Sequence, residues 1–225
     1  MIIHLWSKFA LRSPDDARRH GLAHSSWAGQ PWLDCPVTDS SLPRLFQEGR
    51  RVFPYVNDLF DRACENRDSE DIVIYSNADI GFVPDACVRI VFALQANNAG
   101  YVFRVDFPRL AAQPTAEQML HGQEYGGTDV FFFRVDWWRA CREFMPLLLV
   151  AREAWDPVLR IIMEKTNPNK PLSIPRICWH ERHGGDGHWE SAPNRYTLPG
   201  QRYNLALAKT FMKQNNQNPA AFGIR

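Results

Sequence analysis

Short apolar runs separated by polar stretches form the first pattern along the sequence. Residues 71–75 make a continuous apolar, β-branched run, which is typical of a strand buried on both faces of a sheet. Three more runs, at residues 1–6, 101–106 and 129–134, predict further strands. The Tyr-Gly-Gly-Thr segment at residues 125–128 predicts a turn that introduces the last of these strands.

Between the predicted strands, apolar side chains recur at helical spacing. Residues 51–66 show this spacing, and Pro54 is tolerable there in a first helical turn. A second helix is predicted to begin after Pro84 and to stop near Gly100. Three later stretches also have helical spacing, at residues 137–144, 157–165 and 203–213.

The two remaining segments differ, since residues 12–50 predict loops and short elements and residues 167–202 predict a loop at the active site. The second of them is rich in Pro, Gly, His and Asn, as active-site loops often are. Strands that alternate with helices predict an α/β fold, and neither an internal repeat nor a linker divides the chain. We therefore expect a single domain with a mostly parallel central sheet flanked by helices.

Composition excludes some classes of protein. The 225 residues include 26 Lys and Arg against 25 Asp and Glu, so no basic excess favours non-specific binding to a nucleic-acid backbone, although a local patch stays possible. Five cysteines without a CxxC pair predict reduced thiols. No apolar run approaches the roughly 20 residues of a membrane span, and residues 1–6 are too short for a signal-peptide core. A cytoplasmic protein is expected.

Polar residues follow the strand at 71–75, where Asn77 and Asp79 stand two positions apart. In open α/β sheets, ligands bind beyond the carboxyl ends of the strands. At such a place Asp79 could ligate a hard divalent cation and Asn77 could bind a ribose or base. Alternatively, both are turn residues that bond their own backbone.

Residues 72–80, Ile-Val-Ile-Tyr-Ser-Asn-Ala-Asp-Ile, with the Gly-Phe-Val-Pro-Asp that follows, resemble the metal-binding aspartate motif of the GT-A nucleotide-diphospho-sugar transferases. Residues 127–134 resemble the strand that follows the acceptor loop in that family, and residues 152–156 resemble the acidic segment near the acceptor. Residues 180–183 and 188–189, with Asn204, resemble its C-terminal closure of the site. The sequence departs from the family pattern in having Asn77 as the first residue of the motif.

The resemblance implies a single GT-A-like, Rossmann-like domain over residues 1–225. Its donor-binding part would be about 1–106 and its acceptor-binding and closing part about 107–225. Asp79 would hold Mn²⁺ or Mg²⁺ on the donor diphosphate, with His180 as a further ligand or diphosphate contact, and Asn77 would assist at the nucleotide. Three more residues would contact the donor sugar or an acceptor hydroxyl, namely Arg104, Asp106 and Asp129. Ion pairing of Arg104 and Asp106, and capping of a turn by Asp129, are the alternatives.

Glu153 and Asp156 are the candidates for catalysis at the acceptor. A carboxylate there could take the proton of the acceptor hydroxyl as the glycosidic bond forms. Asp156 precedes Pro157 and an apolar helical stripe, so it could equally be a helix N-cap. Glu153 could equally be a solvated or ion-paired acid.

The histidine-rich segment contains His180, His183 and His188 within nine positions. A zinc site is disfavoured because the order is not HExxH and Gly184-Gly185 interrupts any helix. The glycines favour a loop that closes over the donor and excludes water, in which Trp189 could contact the ligand. Ordinary polar loop residues are the other interpretation.

One basic group, comprising Arg12, Arg18, Arg19 and His20, could face a diphosphate from a helix starting at Pro14, or could form a solvated helix face. Neither GxxxxGK[ST] nor GxGxxG is present, so phosphate binding would need a metal ion or cations.

The favoured function is metal-dependent transfer of a sugar from a nucleotide-diphospho-sugar donor to a hydroxyl acceptor. That acceptor could be a glycan, a small molecule or a modified nucleic acid. A nucleotidyltransferase or pyrophosphorylase, and a non-catalytic nucleotide- or sugar-binding module, are the alternatives.

Overall fold

The computed structural model of the chain describes residues 1–7, 13–37, 42–49, 51–150, 152–167, 169, 172–182, 197–222 and 224. They divide into two units, each built from segments that are distant in sequence. Unit 1 comprises Met1–Val37, Asn66–Trp137 and Asn167–His183, and unit 2 comprises Thr38–Glu65, Trp138–Thr166 and Gly184–Arg225.

The elements follow one another along the chain as β1 (Ile2–Ser7), α1 (Pro14–Trp27), β2 (Leu33–Val37), β3 (Leu45–Glu48), β4 (Arg51–Pro54), α2 (Val56–Cys64), β5 (Ile72–Asn77), β6 (Ile80–Phe82), α3 (Ala86–Ala93), β7 (Ala99–Phe107), α4 (Ala116–His121), β8 (Gln123–Arg134), α5 (Val135–Cys141), α6 (Trp155–Thr166), β9 (Cys178–Glu181) and α7 (Pro199–Gln214). Two short 3₁₀ helices lie at Arg142–Phe144 and Pro219–Phe222. None of the helices in these ranges has both the length and the hydropathy that crossing a bilayer requires.

A seven-stranded sheet in the order β2-β1-β5-β8-β7-β9-β6 forms the centre of unit 1. β1 is parallel to β2 and β5, and β7 is parallel to β9. β8 is antiparallel to both of its neighbours and β6 is antiparallel to β9. Five of the seven strands therefore run in one direction, which confirms the predicted α/β fold with a mostly parallel sheet.

The centre of the sheet is apolar on both faces. Five of the six β5 residues are buried, and the three consecutive phenylalanines of β8 (Phe131–Phe133) are each at most 1% exposed. Gly100 of β7 pairs with Phe132 of β8, and the ring of Phe132 occupies the space where a larger residue at position 100 would place its side chain. Burial of this apolar surface is the main stabilising contribution to the unit.

Three predictions of local structure were wrong. The helix predicted from residue 51 begins only at Val56, because Arg51–Pro54 pairs with β3 as an antiparallel strand. The turn predicted at residues 125–128 lies inside β8, which continues alongside β7 with irregular register. The expected loop at 167–202 contains β9, and the expected loops and short elements at 12–50 include the 14-residue helix α1, which starts at the Pro14 considered for the basic group. A serine N-cap explains α1, since Ser13 Oγ accepts a hydrogen bond from the Asp16 amide at 3.0 Å.

Unit 2 combines the β3–β4 hairpin with α2, α6 and α7. The buried side chain of Asn204 links α7 to the segment that contains Leu149, ahead of α6. Its amide oxygen accepts a hydrogen bond from the Leu149 backbone amide, and its amide nitrogen donates one to the Leu149 carbonyl, both at 2.8 Å. α6 begins at Trp155, so Asp156 lies in its first turn and is not the N-cap. An acidic side chain there still interacts favourably with the helix dipole.

One ion pair in unit 1 connects α1 to β9. Arg18 donates to both carboxylate oxygens of Glu181, and the Leu110 amide donates to Glu181 Oε2 at 2.8 Å. Burial would raise the pKa of Glu181, but the hydrogen bonds from Arg18 and Leu110 outweigh it and hold the pKa below its ordinary value. This carboxylate is 5% exposed, whereas Arg18 is 33% exposed.

We expect the Glu181→Gln variant to lose about 1–3 kcal/mol of unfolding free energy at pH 7, because a paired carboxylate is removed from a buried position. Because the pKa of Glu181 is lower in the folded protein than its ordinary value of 4.5, the carboxylate contributes its full stabilisation above pH 4.5. This stabilisation is lost as the pH falls through the folded-state pKa. Urea unfolding at pH 7 and pH 3 measures it, with exposed Glu124→Gln as the control. A difference between wild type and Glu181→Gln that does not shrink at pH 3 would contradict the assignment.

Candidate functional site

Four strands of unit 1 bring six of the predicted site residues together. Asn77 ends β5, and Asp79 lies in the two-residue connection to β6. Asp106 of β7 and Ile80 of β6 both pair with His180 of β9, which therefore lies between them. Arg104 and Asp129 complete the group from β7 and β8. The hypothesis of a polar cluster beyond the carboxyl end of β5 thus has a structural basis.

Asp106, His180 and Asp79 form a chain of polar contacts. His180 Nδ1 lies 3.1 Å from Asp106 Oδ1, and His180 Nε2 lies 3.4 Å from Asp79 Oδ2. Both His180 and Asp106 are buried, at 4% and 6% exposure. Because Asp106 occupies one ring nitrogen, the other is aimed at Asp79.

The two buried members of this chain stabilise each other's charged forms. Burial alone would lower the pKa of His180, but hydrogen bonds to Asp106 and Asp79 and the charge of Asp79 outweigh it, so the pKa is raised. Burial alone would raise the pKa of Asp106, but the hydrogen bond from His180 and the charge of Arg104 hold it below its ordinary value. In the ligand-free protein these contacts therefore shift His180 towards its protonated form and Asp106 towards its carboxylate form.

Arg104 joins the strands β7 and β8 at the site. Its Nε donates to Asp106 Oδ1 at 2.8 Å and its Nη1 donates to Asp129 Oδ2 at 2.6 Å. The register of β7 against β8 shifts on both sides of Phe103, an irregularity that redirects side chains beside functional sites. The guanidinium also lies 4.1 Å from the ring centroid of Tyr125. The ion pairing considered for Arg104 and Asp106 is therefore present, and Arg104 forms a second ion pair with Asp129.

Asn77 is held by its neighbours in the sheet. Its amide nitrogen donates to Asp129 Oδ1 at 2.9 Å, and its amide oxygen accepts from the Tyr75 hydroxyl at 3.3 Å. Asp129 consequently bridges Asn77 and Arg104. Nucleotide contact by Asn77 and sugar contact by Asp129 stay predictions.

Tyr125 is the residue at this site that sequence reasoning missed. It was assigned to a turn, but β8 extends through it and places its ring over Arg104. A Cβ at Gly127 would lie 2.3 Å from this ring, so the glycine permits the ring position. The sequence signal was available, since a Gly-Gly pair beside an aromatic residue is compatible with an irregular strand as well as a turn.

Other predicted residues lie elsewhere. Four of them lie outside the described residues, namely Arg12, His183, His188 and Trp189. Glu153 belongs to unit 2, where its carboxylate accepts from Gln201 Nε2 at 2.8 Å and its amide donates to Gln201 Oε1 at 3.0 Å. Asp156 belongs to the same unit.

The two described arginines of the basic group on α1 are engaged with acidic residues of unit 1, whereas the His20 ring lies beside the His24 ring. Arg18 pairs with Glu181 and Asp15, and Arg19 pairs with Asp15 and Asp16. This pairing agrees with the helix-face interpretation and leaves less positive charge for a diphosphate.

For a divalent cation, the described cluster supplies two candidate ligand atoms, Asp79 Oδ2 and His180 Nε2. Nowhere in the described ranges do three or more His, Cys, Asp or Glu side chains form a group able to hold a metal ion. Adjacent ligands on an octahedral ion with bonds of about 2.1 Å lie about 3 Å apart, close to the 3.4 Å between these atoms. Asp106 on the far ring nitrogen is the usual outer partner of a metal-bound histidine. The pair fits an ion that takes its other ligands from water and substrate.

Comparison with known proteins addresses the fold. No protein-family model matches the chain, and no curated protein matches its sequence. Its structure is similar to that of S. aureus TarS 1–349 in complex with UDP-GlcNAc, with a TM-score of 0.53 and 8% identity over 94% of this chain and 71% of that chain. A second TarS 1–349 structure gives a TM-score of 0.52 and 7% identity, over 94% of this chain and 65% of that chain. The similarity confirms the predicted GT-A-like fold.

Proposed function

We propose that this chain is a glycosyltransferase that moves a sugar from a nucleotide-diphospho-sugar to a hydroxyl acceptor. The observation that carries the proposal is the His180 imidazole, aimed by Asp106 at Asp79 beyond the carboxyl end of β5. The fold is shared with TarS 1–349, whose crystal structure contains UDP-GlcNAc. We take that compound as the first donor to test.

In such a transfer, the bond between the anomeric carbon and the diphosphate oxygen breaks, and its electron pair goes to the departing diphosphate. The acceptor oxygen forms the new bond to the anomeric carbon and gives up its proton to a base. The largest demand on the protein is stabilisation of the negative charge that develops on the diphosphate.

We assign Asp79 and His180 to a divalent cation, which would neutralise this developing charge when bound. Mn²⁺ suits the pair better than Mg²⁺, because Mg²⁺ prefers oxygen ligands and one of these two atoms is an imidazole nitrogen. Asp106 would hold the ring in the orientation that ligation needs. Arg104 and Asp129 would face the donor sugar, and Asn77 the nucleotide.

The acceptor proton needs a carboxylate within hydrogen-bond reach of the hydroxyl. We propose Asp156 or Glu153 for this role. Since Glu153 is hydrogen-bonded to buried Gln201, its carboxylate is held in a fixed position and loses little conformational entropy when it binds a substrate group. The acceptor itself is open to a glycan, a small molecule or a modified nucleic acid.

A thermal-shift screen tests the proposal. We expect UDP-GlcNAc at about 100 times its Kd to stabilise the protein by about 2.7 kcal/mol, which raises Tm by roughly 5–10 °C for a chain of this size. The shift should be larger with Mn²⁺ than with EDTA. Other UDP- and GDP-sugars serve as the comparison set.

Product analysis separates the alternatives. Release of a nucleoside diphosphate supports glycosyl transfer, whereas release of pyrophosphate from a sugar phosphate and a nucleoside triphosphate would identify a nucleotidyltransferase. Nucleotide binding without Mn²⁺ dependence and without turnover would identify a binding module. No shift with any nucleotide-sugar would overturn the proposal.

A further inference from the structure

Arg182 is the residue that follows β9, and it lies beside the polar cluster, two positions after His180. Its backbone amide donates to the Phe107 carbonyl at 2.8 Å, so β9 pairing with β7 holds the main chain at this position. Residues two apart in extended chain project to the same side and lie roughly 7 Å apart. The Arg182 side chain is 45% exposed.

Asp106 orients both of these side chains through different oxygens. Its Oδ1 accepts from Arg104 Nε and faces His180 Nδ1, whereas its Oδ2 lies 3.6 Å from Arg182 Nε. That separation is an electrostatic contact longer than a hydrogen bond. Within the described part of the chain, Gln123 Oε1 is the acceptor that receives a hydrogen bond from the Arg182 guanidinium.

Among the described residues, one acceptor receives a hydrogen bond from the Arg182 guanidinium, and the remaining N–H groups are donors that a ligand could use. A guanidinium has five N–H groups in a planar fork that matches two oxygens of a phosphate. Arg104, the other cation of the cluster described above, is 14% exposed and already donates to two carboxylates. Asp79, Asp106 and Asp129 give the cluster acidic character, so an anionic ligand needs a cation at its edge.

We propose that Arg182 binds the diphosphate of the donor through its guanidinium fork, with Asp106 and Gln123 holding the side chain in place. This inference rests on the proposed function and adds a phosphate-binding residue to it. A diphosphate has the size to contact Arg182 while its other end lies near Asp79 and His180, because Arg182 and His180 are two positions apart in extended chain and His180 Nε2 lies 3.4 Å from Asp79 Oδ2.

The test compares ligands that differ in their phosphates. Binding of UDP, uridine and inorganic pyrophosphate is measured by calorimetry, at a fixed Mn²⁺ concentration, for wild type and Arg182→Gln. Arg109→Gln is the matched control, because Arg109 is 75% exposed and lies 3.9 Å from Asp15. We expect Arg182→Gln to weaken the binding of UDP and pyrophosphate about 10- to 100-fold, as loss of a charge-assisted hydrogen bond does. The affinity for uridine should not change. Arg109→Gln should leave all three Kd values unchanged.

A second variant, Gln123→Ala, keeps the charge of Arg182 and removes the side chain that accepts its hydrogen bond. This variant should weaken the binding of UDP by less than Arg182→Gln does, again without an effect on the binding of uridine. If wild type binds UDP and Arg182→Gln binds it equally well, the inference is overturned and the proposed function stands. Equal weakening of UDP and uridine also overturns it, because that result marks a general disturbance of the site. If wild type binds neither UDP nor pyrophosphate, both proposals fail.

Discussion

The Asp79→Asn variant is expected to lose Mn²⁺-dependent hydrolysis of UDP-GlcNAc by about 10²- to 10³-fold. Removing one group that stabilises developing charge in a transition state commonly has an effect of this size. The amide keeps the volume of the carboxylate but removes its charge, so the imidazole of His180 faces a neutral group in place of an anion. Release of UDP over time, measured at saturating donor with Mn²⁺ and with EDTA, gives the result.

Asp85→Asn is the matched control for this variant. Asp85 follows the next strand, β6, is exposed, and makes no side-chain cap bond at the start of α3. It should retain full hydrolysis. Full Mn²⁺-dependent hydrolysis by Asp79→Ala or Asp79→Asn would remove the basis for a metal at this position.

The Gly100→Ala variant is expected to lose about 2–4 kcal/mol of unfolding free energy. A Cβ at this position would lie 2.4 Å from Cζ of Phe132 and 2.5 Å from the backbone carbonyl oxygen of Leu172. Phe132 is 1% exposed in the core, and Leu172 accepts a hydrogen bond from the Tyr101 amide, so neither atom can shift without loss of packing or pairing. Tm should fall by roughly 5–15 °C.

Gly126→Ala provides the comparison within the same unit. Nothing lies within 4 Å of a Cβ built there, so its stability should change by no more than about 0.5 kcal/mol. Thermal and urea unfolding of the three proteins measure both effects. Equal stability of Gly100→Ala and wild type would show that Phe132 and the Leu172 segment repack freely, contrary to the description of the core given above.

The sequence predicted the central strands well, because β5, β7 and β8 are apolar over most of their length and burial on both faces leaves a simple pattern. Helix boundaries were harder wherever a strand and a helix adjoin. The apolar spacing of residues 52–63 is compatible with one helix, and only pairing with β3 separates β4 from α2. β9 was missed because its four residues are too few to show any periodicity.

For the site, position along a strand was the informative signal. Asp79 and Asp106 stand near the ends of predicted strands, whereas His180 was found through the family resemblance and lies in the unpredicted β9, and sheet pairing brings these residues together. Contacts between side chains could not be predicted. Sequence spacing does not show that the two carboxylate oxygens of Asp106 face different side chains, or that the Tyr125 ring lies over Arg104. They depend on the register shift between β7 and β8. The roles assigned to the site residues stay predictions until the variants are measured.

The order of strands in the sheet has a consequence for synthesis of the chain. β8 lies between β5 and β7, and β9 lies between β7 and β6, although both of these inner strands come later in sequence than the neighbours they join. A nascent chain therefore exposes the edges of β5 and β7 that pair with β8 until residue 134 has left the ribosome. The edge of β6 that pairs with β9 stays exposed until residue 181 has emerged. Such edges are sites of aggregation, and pairings between distant segments form slowly. Yield of the folded protein should consequently respond to translation rate and to chaperones that shield exposed edges.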